Sequence, residues 1–378
     1  MKKTFLLFLL LLSTHLTAWA YQSEQLKESL QQLSDLVIER DSTIPGVLIH
    51  VEAPDIKLSH SVSSGVSEIK SQASLNPQGS VRIASNTKTY VAVSILRLWE
   101  QKKLNPDDPI SKHISKIHTD ILEGDGYDLD NITIRHLLTH TSGMYDHASS
   151  NTYFQKVFSN PSYEWTRTEQ IQGCADWGDP LFEPGDQFSY SDTGYILLGE
   201  VIENLTGNSL GEAVRSLVDF EKLGLESTWW EKIEPKPETA TDRIHQYFQG
   251  NDTYDYDPSL DLNGGGGLVA NTKDMALFYQ KLFSGSVFEH SATLDTMLTK
   301  INFPENYTPS NDYRMGIFFT EVKGTGMYSH SGFWGTEATY IPELNATVSI
   351  ATTQFGKIRV MRQLLMDVIE VLKEHKKD

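Results

Sequence analysis

The sequence predicts an α/β (α+β) fold in which one sheet is built from both ends of the chain and a helical lobe is inserted between them. Short strand-like segments occur near both ends, each accompanied by an amphipathic helical segment. The middle of the chain shows mostly helical periodicity. With 378 residues, of which 39% are hydrophobic and 22% charged, the chain can bury a large core.

The first twenty residues have the pattern of a signal peptide. Two lysines precede an apolar run from Phe5 to Leu12, and the small residues Ala18 and Ala20 fit cleavage before Tyr21. The run is too short to span a membrane, and no cysteine follows it that would carry a lipid. We therefore expect a bacterial protein exported to the periplasm or secreted, without a stable membrane anchor.

The composition argues against several kinds of partner. Removal of residues 1–20 strips two lysines and no acid, which takes the formal net charge from −18 to −20 and disfavours nucleic acid and anionic membranes.

The lone Cys174 cannot form an internal disulfide and is expected to be buried. No zinc-ligand motif includes His113, His118, His136 or His140, so we expect these histidines to be structural and predict neither metal nor cofactor.

The elements at the two ends follow from periodicity. Leucines and a valine at helical spacing in "SEQLKESLQQLSDLVIER" predict a helix, which ends before the turn at Pro45 and Gly46. "GVLIHVEA" and "KLSHSVSSGVSE" then have the pattern of paired strands. Near the other end, two strands flank the turn from Pro342 to Asn345, and "VMRQLLMDVIEVLKEHKK" predicts a closing amphipathic helix.

The middle segment, from Thr87 to about Leu223, has helical patterns separated by loops rich in Pro, Gly, Asp and Asn. After the signal peptide we therefore expect a single domain over residues 21–378. Its α/β lobe comprises residues 21–80 and 262–378, and its helical lobe residues 81–261.

Two Ser-x-x-Lys matches are candidates for a serine nucleophile with a neighbouring lysine. Residues three apart lie on one side of a helix, whereas in a strand they face opposite ways. Ser67 and Lys70 fall in a strand-like segment. Ser85 opens an apolar helical run, which places its hydroxyl at a helix N-terminus beside Lys88, in a setting that favours the neutral amine. On this stretch alone, a Ser85 that merely caps the helix is equally compatible.

A further serine, Ser209, lies in a Gly-x-Ser-x-Gly match from Gly207 to Gly211. The nucleophile elbow of α/β-hydrolases needs a strand before this pattern and a helix after it. Here a helical pattern precedes Gly207, and Glu212 follows Ser209 by three places as in a capping box. We expect a helix, a turn and a capped helix.

Five segments, in order along the chain, resemble the serine β-lactamase and penicillin-binding protein superfamily, most closely the branch with class C β-lactamases, DD-carboxypeptidases, esterases and D-aminopeptidases. They are "RIASNTKTYVAVSILRLWEQKKLNPDDPISKHI", "ITIRHLLTHTSGM", "FEPGDQFSYSDTGYILLGEVIENLTG", "GGGGLVANTKDMALFYQKLF" and "YSHSGFWGTEATYIPELNATVSIATTQ". The resemblance implies a β-lactamase/transpeptidase-like fold: an antiparallel sheet flanked by N- and C-terminal helices, with a helical lobe beside it and the site between them.

The resemblance also implies three motifs. Carried over by position, they are Ser85 with Lys88, then Tyr190, Ser191 and Asp192, and finally His330, Ser331 and Gly332. It implies acyl transfer: Ser85 attacks a carbonyl, and Lys88 and Tyr190 relay its proton to the leaving group.

The oxyanion and substrate sites are implied in the same way. The backbone N–H groups of Ser85 and Phe333 would hold the oxyanion. Gly332 would let the substrate approach the strand, and Ser331 and His330 would bind a substrate carboxylate.

One position departs from the family pattern. Where the best-known members have Asn, this chain has Asp192, which cannot donate an N–H to an acylamino substrate. An ionised Asp192 near Lys88 would favour the ammonium and shift the base role to Tyr190. This makes an ester or an atypical peptide more plausible as the substrate.

The expected function is that of an exported serine hydrolase acting through an acyl-enzyme on a peptide, ester or β-lactam carbonyl. The resemblance favours a D-alanyl-D-alanine carboxypeptidase-like or esterase-like activity, with a small molecule or a peptidoglycan peptide as the substrate. The alternative is a penicillin-recognising binding or sensor protein of the same fold that does not hydrolyse its ligand.

Overall fold

The structure is a computed structural model that describes residues 23–377, with the side chain of residue 377 excepted. The signal peptide expected over residues 1–20 lies outside the described residues. In chain order the strands are β1 (Gly46–Ala53), β2 (Leu58–Gly65), β3 (Ser80–Arg82), β4 (Trp229–Trp230), β5 (Tyr247–Phe248), β6 (Asn251–Asp252), β7 (Leu268–Asn271), β8 (Asp312–Tyr313), β9 (Phe318–Val322), β10 (Thr325–Gly332), β11 (Thr336–Ile341) and β12 (Ala346–Thr352).

Helices occur at both ends and dominate the middle of the chain. They are α1 (23–40), α2 (Thr87–Glu100), α3 (Lys116–Gly124), α4 (Ile134–Leu138), α5 (Asn151–Ser159), α6 (Arg167–Trp177), α7 (Asp192–Thr206), α8 (Leu210–Val218), α9 (Phe220–Leu223), α10 (Thr272–Phe283), α11 (Ser291–Met297) and α12 (Ile358–Lys377). Both helices predicted at the two ends are present, as are the strands around the turn after Ile341.

The main sheet has seven strands in the order β2-β1-β12-β11-β10-β9-β8. The neighbouring strands in this order run antiparallel. Strand β1 lies beside β12, with Val47 opposite Thr352, so the sheet joins distant parts of the chain. The predicted antiparallel sheet built from both ends is confirmed.

Helices cover both faces of this sheet because successive strand residues point to opposite sides. On one face, Val47 and Ile49 of β1 pack with apolar residues of α1 and α12. On the other face, Leu48 joins the larger core of α10 and the middle helices. Strands β3, β7 and β4 form a small second sheet. In the chain, β3 comes just before α2 and β7 directly before α10.

Helix α2 runs through the interior of the larger core. Eleven of its fourteen residues are buried, as expected from a run that is apolar on nearly every side. A single turn of 3-10 helix, Ala84–Asn86, joins β3 to α2. The position of α2 therefore sets the position of Ser85.

Candidate active site

Ser85 lies in the 3-10 turn directly before α2. The preceding Ala84 has a left-handed backbone with φ 46°, which costs a non-glycine residue about 1–2 kcal/mol. The residue that caps α2 is Asn86, and no side chain makes a capping hydrogen bond there. Ser85 is therefore not a helix cap, and its half-buried side chain lines a cavity.

Lys88 lies one turn into α2 and is fully buried. Its Nζ donates to Ser85 Oγ at 3.0 Å and to the carbonyl oxygen of Gly265 at 2.5 Å, and it forms an ion pair with Asp192. Burial by itself would lower the pKa of Lys88, but the charge of Asp192, with smaller effects from Tyr190 and Asp261, outweighs it and holds that pKa above its usual value.

The expectation of a neutral Lys88 is therefore wrong. The setting is water-poor as predicted, but the carboxylate beside the amine decides its charge. The expectation that Asp192 would favour the ammonium is confirmed by the same contact. Because an ammonium has no lone pair, Lys88 cannot accept the Ser85 proton.

Tyr190 lies two residues before α7, and its ring centroid is 5.1 Å from Lys88 Nζ. Burial raises the pKa of the Tyr190 phenol, while the positive charge of Lys88 lowers it, and the net direction is upward. The ring is backed by His140, whose centroid is 4.1 Å away. His140 also accepts the Ser191 N–H at Nδ1, at 3.1 Å, so it fixes the chain next to Tyr190.

The third motif forms the end of β10. His330 is buried, its Nδ1 lies 2.9 Å from the Ser331 carbonyl oxygen, and its Nε2 lies 3.2 Å from Tyr313 Oη. Burial, assisted by the charge of Lys88, lowers the pKa of His330 to about 3. With Nδ1–H donating to the carbonyl and Nε2 accepting from the phenol, His330 is neutral and has no N–H left for a substrate carboxylate.

Gly332 is packed against the segment that carries Ser85. A Cβ at this position would lie 2.2 Å from the Ile83 carbonyl oxygen and 2.4 Å from Thr336 Oγ1. That carbonyl also accepts from Asn86 Nδ2 and Thr336 Oγ1, each at 3.0 Å. The glycine is therefore required by contact with the protein itself, whereas the sequence suggested clearance for a substrate.

The motifs meet around one cavity of about 500 Å³. Ser85, Tyr190, Asp192, His330, Ser331, Gly332 and Phe333 all line it. Lys88 lies behind Ser85. The structure thus brings together every residue that the sequence singled out for the site.

Two further carboxylates at the cavity were not predicted. Asp146 and Asp261 are half-buried and line it with Asp192. Burial, followed by repulsion from Asp192, raises the pKa of each to about 7. Asp261 lies in the acidic, glycine-rich loop before β7, whose composition was the one signal that pointed to it.

The other two candidate serines, Ser67 and Ser209, lie in surroundings that do not fit a nucleophile. Ser209 caps α8 in a capping box with Glu212 after the left-handed Gly207, as predicted. Ser67 lies in a bend just beyond β2, not within a strand, and Lys70 is exposed. The Oγ of Ser67 donates to the Ala73 carbonyl oxygen at 3.2 Å.

Cys174 is buried, as predicted, and burial raises the pKa of its thiol to about 12. Within residues 23–377, no group of three or more His, Cys, Asp or Glu side chains is arranged to hold a metal ion. In the same range, no helix is both long and apolar enough to cross a membrane.

Comparison with known proteins identifies the family of this chain. The family model for Beta-lactamase matches residues 31–373. Penicillin-binding protein 4* of Bacillus subtilis is 26% identical over 329 residues, which span 82% of this chain and 67% of that protein. Protein flp of Staphylococcus aureus is 32% identical over 190 residues, which are 49% of this chain and only 35% of that protein.

Three solved structures share the fold. The D-stereospecific amidohydrolase from Streptomyces sp. has a TM-score of 0.74 at 23% identity, covering 91% of this chain and 97% of its own. D-amino acid amidase from Ochrobactrum anthropi, complexed with L-phenylalanine amide, has a TM-score of 0.76 at 21% identity. The match covers 93% of this chain and 99% of that protein. EstCE1, a hydrolase with promiscuous acyltransferase activity, has a TM-score of 0.70 at 20% identity. The match covers 93% of this chain and 99% of that protein.

Proposed function

Because this chain belongs to the Beta-lactamase family, we propose that it is an exported serine hydrolase that forms an acyl-enzyme on Ser85. The observation that carries the proposal is the contact of Ser85 Oγ with Lys88 Nζ at 3.0 Å, inside a cavity that Tyr190 also lines. Nucleophile, charge partner and phenol are thus side by side where a substrate has room to bind.

In the proposed acylation step, Ser85 Oγ bonds to the carbonyl carbon of an amide or ester. The Ser85 proton moves to the Tyr190 oxygen as the phenol passes its own proton to the leaving nitrogen or oxygen, whose bond to carbon then breaks. The Lys88 ammonium donates to the serine oxygen and stabilises negative charge as it develops. In the second step water attacks the acyl carbon and gives a proton to the Tyr190 oxygen as the phenol passes its own proton to Ser85 Oγ. The bond between Ser85 and the acyl group then breaks, which releases the acid and restores Ser85.

The tetrahedral oxygen is assigned to the backbone N–H groups of Ser85 and Phe333. Both residues line the cavity, one before α2 and the other directly after β10. The packing of Gly332 against the Ile83 carbonyl keeps these two segments in register. Two preorganised backbone donors at one oxygen are the usual means of stabilising this intermediate.

The charges favour an amidase or esterase over a DD-carboxypeptidase or β-lactamase. Those two activities act on substrates that carry a carboxylate, yet each cation near the reaction centre is already paired: Lys88 with Asp192, and Lys357 with Asp41. His330 is neutral. The D-stereospecific amidohydrolase among the structural neighbours is compatible with this choice.

The test incubates the protein, without residues 1–20, with a short-chain aryl ester, a D-Ala-D-Ala peptide and a penicillin, and follows turnover and intact mass. We expect ester hydrolysis with a transient acyl adduct on Ser85, lost in Ser85→Ala and kept in Ser209→Ala. Hydrolysis that persists in Ser85→Ala would contradict the proposal. A stable penicillin adduct without turnover of any substrate would favour a sensor protein instead.

A further inference from the structure

His140 holds the chain on both sides of Tyr190. Its carbonyl oxygen accepts the Ser189 N–H at 2.9 Å, and its Nδ1 accepts the Ser191 N–H at 3.1 Å. The two residues that flank Tyr190 are therefore bound to one residue. The imidazole also lies against the phenol ring, with ring centroids 4.1 Å apart. The backbone and the ring of Tyr190 are thus located by the same neighbour.

His140 is itself anchored in the helical lobe. It lies two residues after α4, where its N–H donates to the Leu137 carbonyl oxygen at 3.3 Å. The next carbonyl oxygen, that of Leu138, accepts from Tyr195 Oη at 2.9 Å and so joins α4 to α7. A side chain on this frame can hold the segment before α7 within the narrow tolerance that proton transfer requires.

Two local features of His140 are unfavourable in themselves. Its backbone is left-handed, with φ 56°, a conformation that His, Asn and Asp adopt more readily than other non-glycine residues. Because Nδ1 accepts a hydrogen bond, the ring proton lies on Nε2, and this buried atom has no hydrogen-bond partner in the described part of the chain. Features of this kind persist where the surrounding structure enforces them, and they cluster at functional sites.

The ring of His140 keeps its acceptor near neutral pH. Burial, with a further effect from the positive charge of Lys88, holds the pKa of His140 well below its usual value. A protonated ring would give up the contact with the Ser191 N–H, because both of its nitrogens would then be donors. Tyr195 and Tyr313 enclose the ring, with centroids 5.0 and 4.6 Å away.

We propose that His140 is a positioning residue for the proposed reaction: by accepting the Ser191 N–H it sets the place of the Tyr190 phenol, and thereby the transfer of a proton to the leaving group. The inference rests on the proposed function and adds a residue that acts without touching substrate, since His140 lies behind Tyr190 and not in the cavity wall.

Esters with different leaving groups make this role visible. A p-nitrophenolate departs without a proton, whereas an ethoxide must receive one from the phenol as its bond to carbon breaks. A displaced Tyr190 therefore slows acylation by the ethyl ester more than acylation by the aryl ester. The ratio of the two rates reports the position of the phenol, and a general loss of folded protein leaves that ratio unchanged.

The test measures kcat/KM for ethyl butanoate and p-nitrophenyl butanoate in His140→Asn and His140→Leu. Asn and Leu have the same branching, but only Asn keeps an acceptor, Oδ1, as many bonds from the backbone as Nδ1. We expect the ratio of the ethyl to the aryl ester to fall about tenfold or more in His140→Leu and to stay within about threefold of the wild type in His140→Asn. In the Tyr190→Phe background, His140→Leu should lower the ratio no further.

His136→Leu is the matched control. His136 also accepts a backbone N–H at Nδ1, that of Thr133 at 3.2 Å, but it does so at the start of α4. We expect a lower Tm in both Leu variants and a changed ratio in His140→Leu alone. Should His140→Leu fail to fold, His140→Phe takes its place, because it keeps a ring and lacks the acceptor.

Hydrogen exchange separates this inference from the proposed reaction. We expect the Ser191 N–H to exchange faster in His140→Leu than in the wild type or His140→Asn. That result without Ser85-dependent turnover of any ester would sink the proposed function and leave the placement of Tyr190 standing. Ser85-dependent turnover with the wild-type ratio in His140→Leu overturns the inference and leaves the proposed function intact. Equal falls of the ratio in His140→Leu and His140→Asn, or in His140→Leu and His136→Leu, also overturn it.

Discussion

The contact between Lys88 and Asp192 decides how protons move in this site. A buried lysine alone would lose its proton readily, and Ser85 would then have a base three residues away. With Asp192 against it, Lys88 stays charged and acts as a hydrogen-bond donor. One carboxylate in place of an amide thus leaves the phenol of Tyr190 as the group that exchanges a proton with the serine.

The substitution Asp192→Asn tests this division of roles. Burial, the largest influence on Lys88, is then opposed only by the smaller effects of Tyr190 and Asp261, so the pKa of Lys88 falls and the neutral amine becomes available as pH rises. We expect a new ionisation in the pH profile of kcat, with activity increasing towards alkaline pH, and a changed preference between ester and amide. Kinetics from about pH 6 to pH 10 measure both.

Chemical denaturation of the same variant checks that the fold survives. The loss of the ion pair should lower the free energy of unfolding by about 1–3 kcal/mol. The control, Asp255→Asn, removes an exposed carboxylate of the loop before β7 and should change neither the pH profile nor stability. If Asp192→Asn kept both the wild-type profile and the wild-type ester-to-amide preference, Asp192 would have no such role.

At this scale the sequence predicted which side chains meet, but it left two opposing expectations for the charge of Lys88. Ser85 and Lys88 follow from the Ser-x-x-Lys spacing at the start of a buried helical run, and the family resemblance supplied Tyr190. The charge on Lys88 and the occupied nitrogens of His330 depend on distances between segments far apart in the chain. Asp261 was missed because its loop contains several other acidic residues, and Asp146 because nothing in its own loop sets it apart as a site residue.

Among the elements, the end of β10 and the turn before α2 meet in a closely packed junction. The Ile83 carbonyl accepts hydrogen bonds from Asn86 and Thr336, and Gly332 lies directly against it. This junction holds the segment of Ser85 against the strand that ends at Phe333. The two assigned oxyanion donors are therefore positioned by one shared contact.

Two glycine substitutions on the same strand test the junction. Gly332→Ala places a methyl group 2.2 Å from the Ile83 carbonyl oxygen, so β10 and the Ser85 turn must move apart. We expect a loss of about 1–3 kcal/mol in stability and a fall in kcat of up to about a hundredfold. Thermal unfolding and ester hydrolysis measure the two effects.

Gly326→Ala is the control at the other end of β10. Its methyl group would meet the Phe319 ring at 3.2 Å, which a small rotation of that side chain relieves. Activity should therefore change little in this variant. Equal losses of kcat in both variants would show that Gly332 has no special part in aligning the site.

At the scale of elements, the sequence predicted the helices and strands whose hydrophobic periodicity is visible within their own residues. The helices α1, α2 and α12 and the strands β1, β2, β11 and β12 have clear periodicity in their own residues. Strands β8 and β9 were not predicted, because β8 has only two residues and β9 is partly or fully exposed along its length, so neither shows an alternation of buried and exposed residues. The pairing order of the strands depends on long-range contacts and was not predicted, and the family resemblance supplied only the antiparallel arrangement.

For the whole molecule, the exported state is the expectation that bears most on how the protein is made. When all 378 residues are produced in a bacterial host, we expect a mature chain that begins at Tyr21 in the periplasmic or secreted fraction. Fractionation followed by intact-mass measurement checks this. Leu9→Arg, which interrupts the apolar run, should retain the precursor inside the cell, and a wild-type chain that keeps residues 1–20 would refute the expectation.

The pairing of β1 with β12 has a consequence for the order of folding. Strand β1 is among the first parts of the domain to be synthesised, yet one of its edges stays unpaired until Thr352 has been made. The apolar residues of β1 cannot be enclosed before then, because α12 follows later still. The sheet therefore closes only after the last strand of the domain has been made, and contacts of such long range make closure slow. A domain that stays open until its last strand has been made suits the expected passage across a membrane in the unfolded state, and in an exported chain the cavity beside Ser85 would be assembled on the far side.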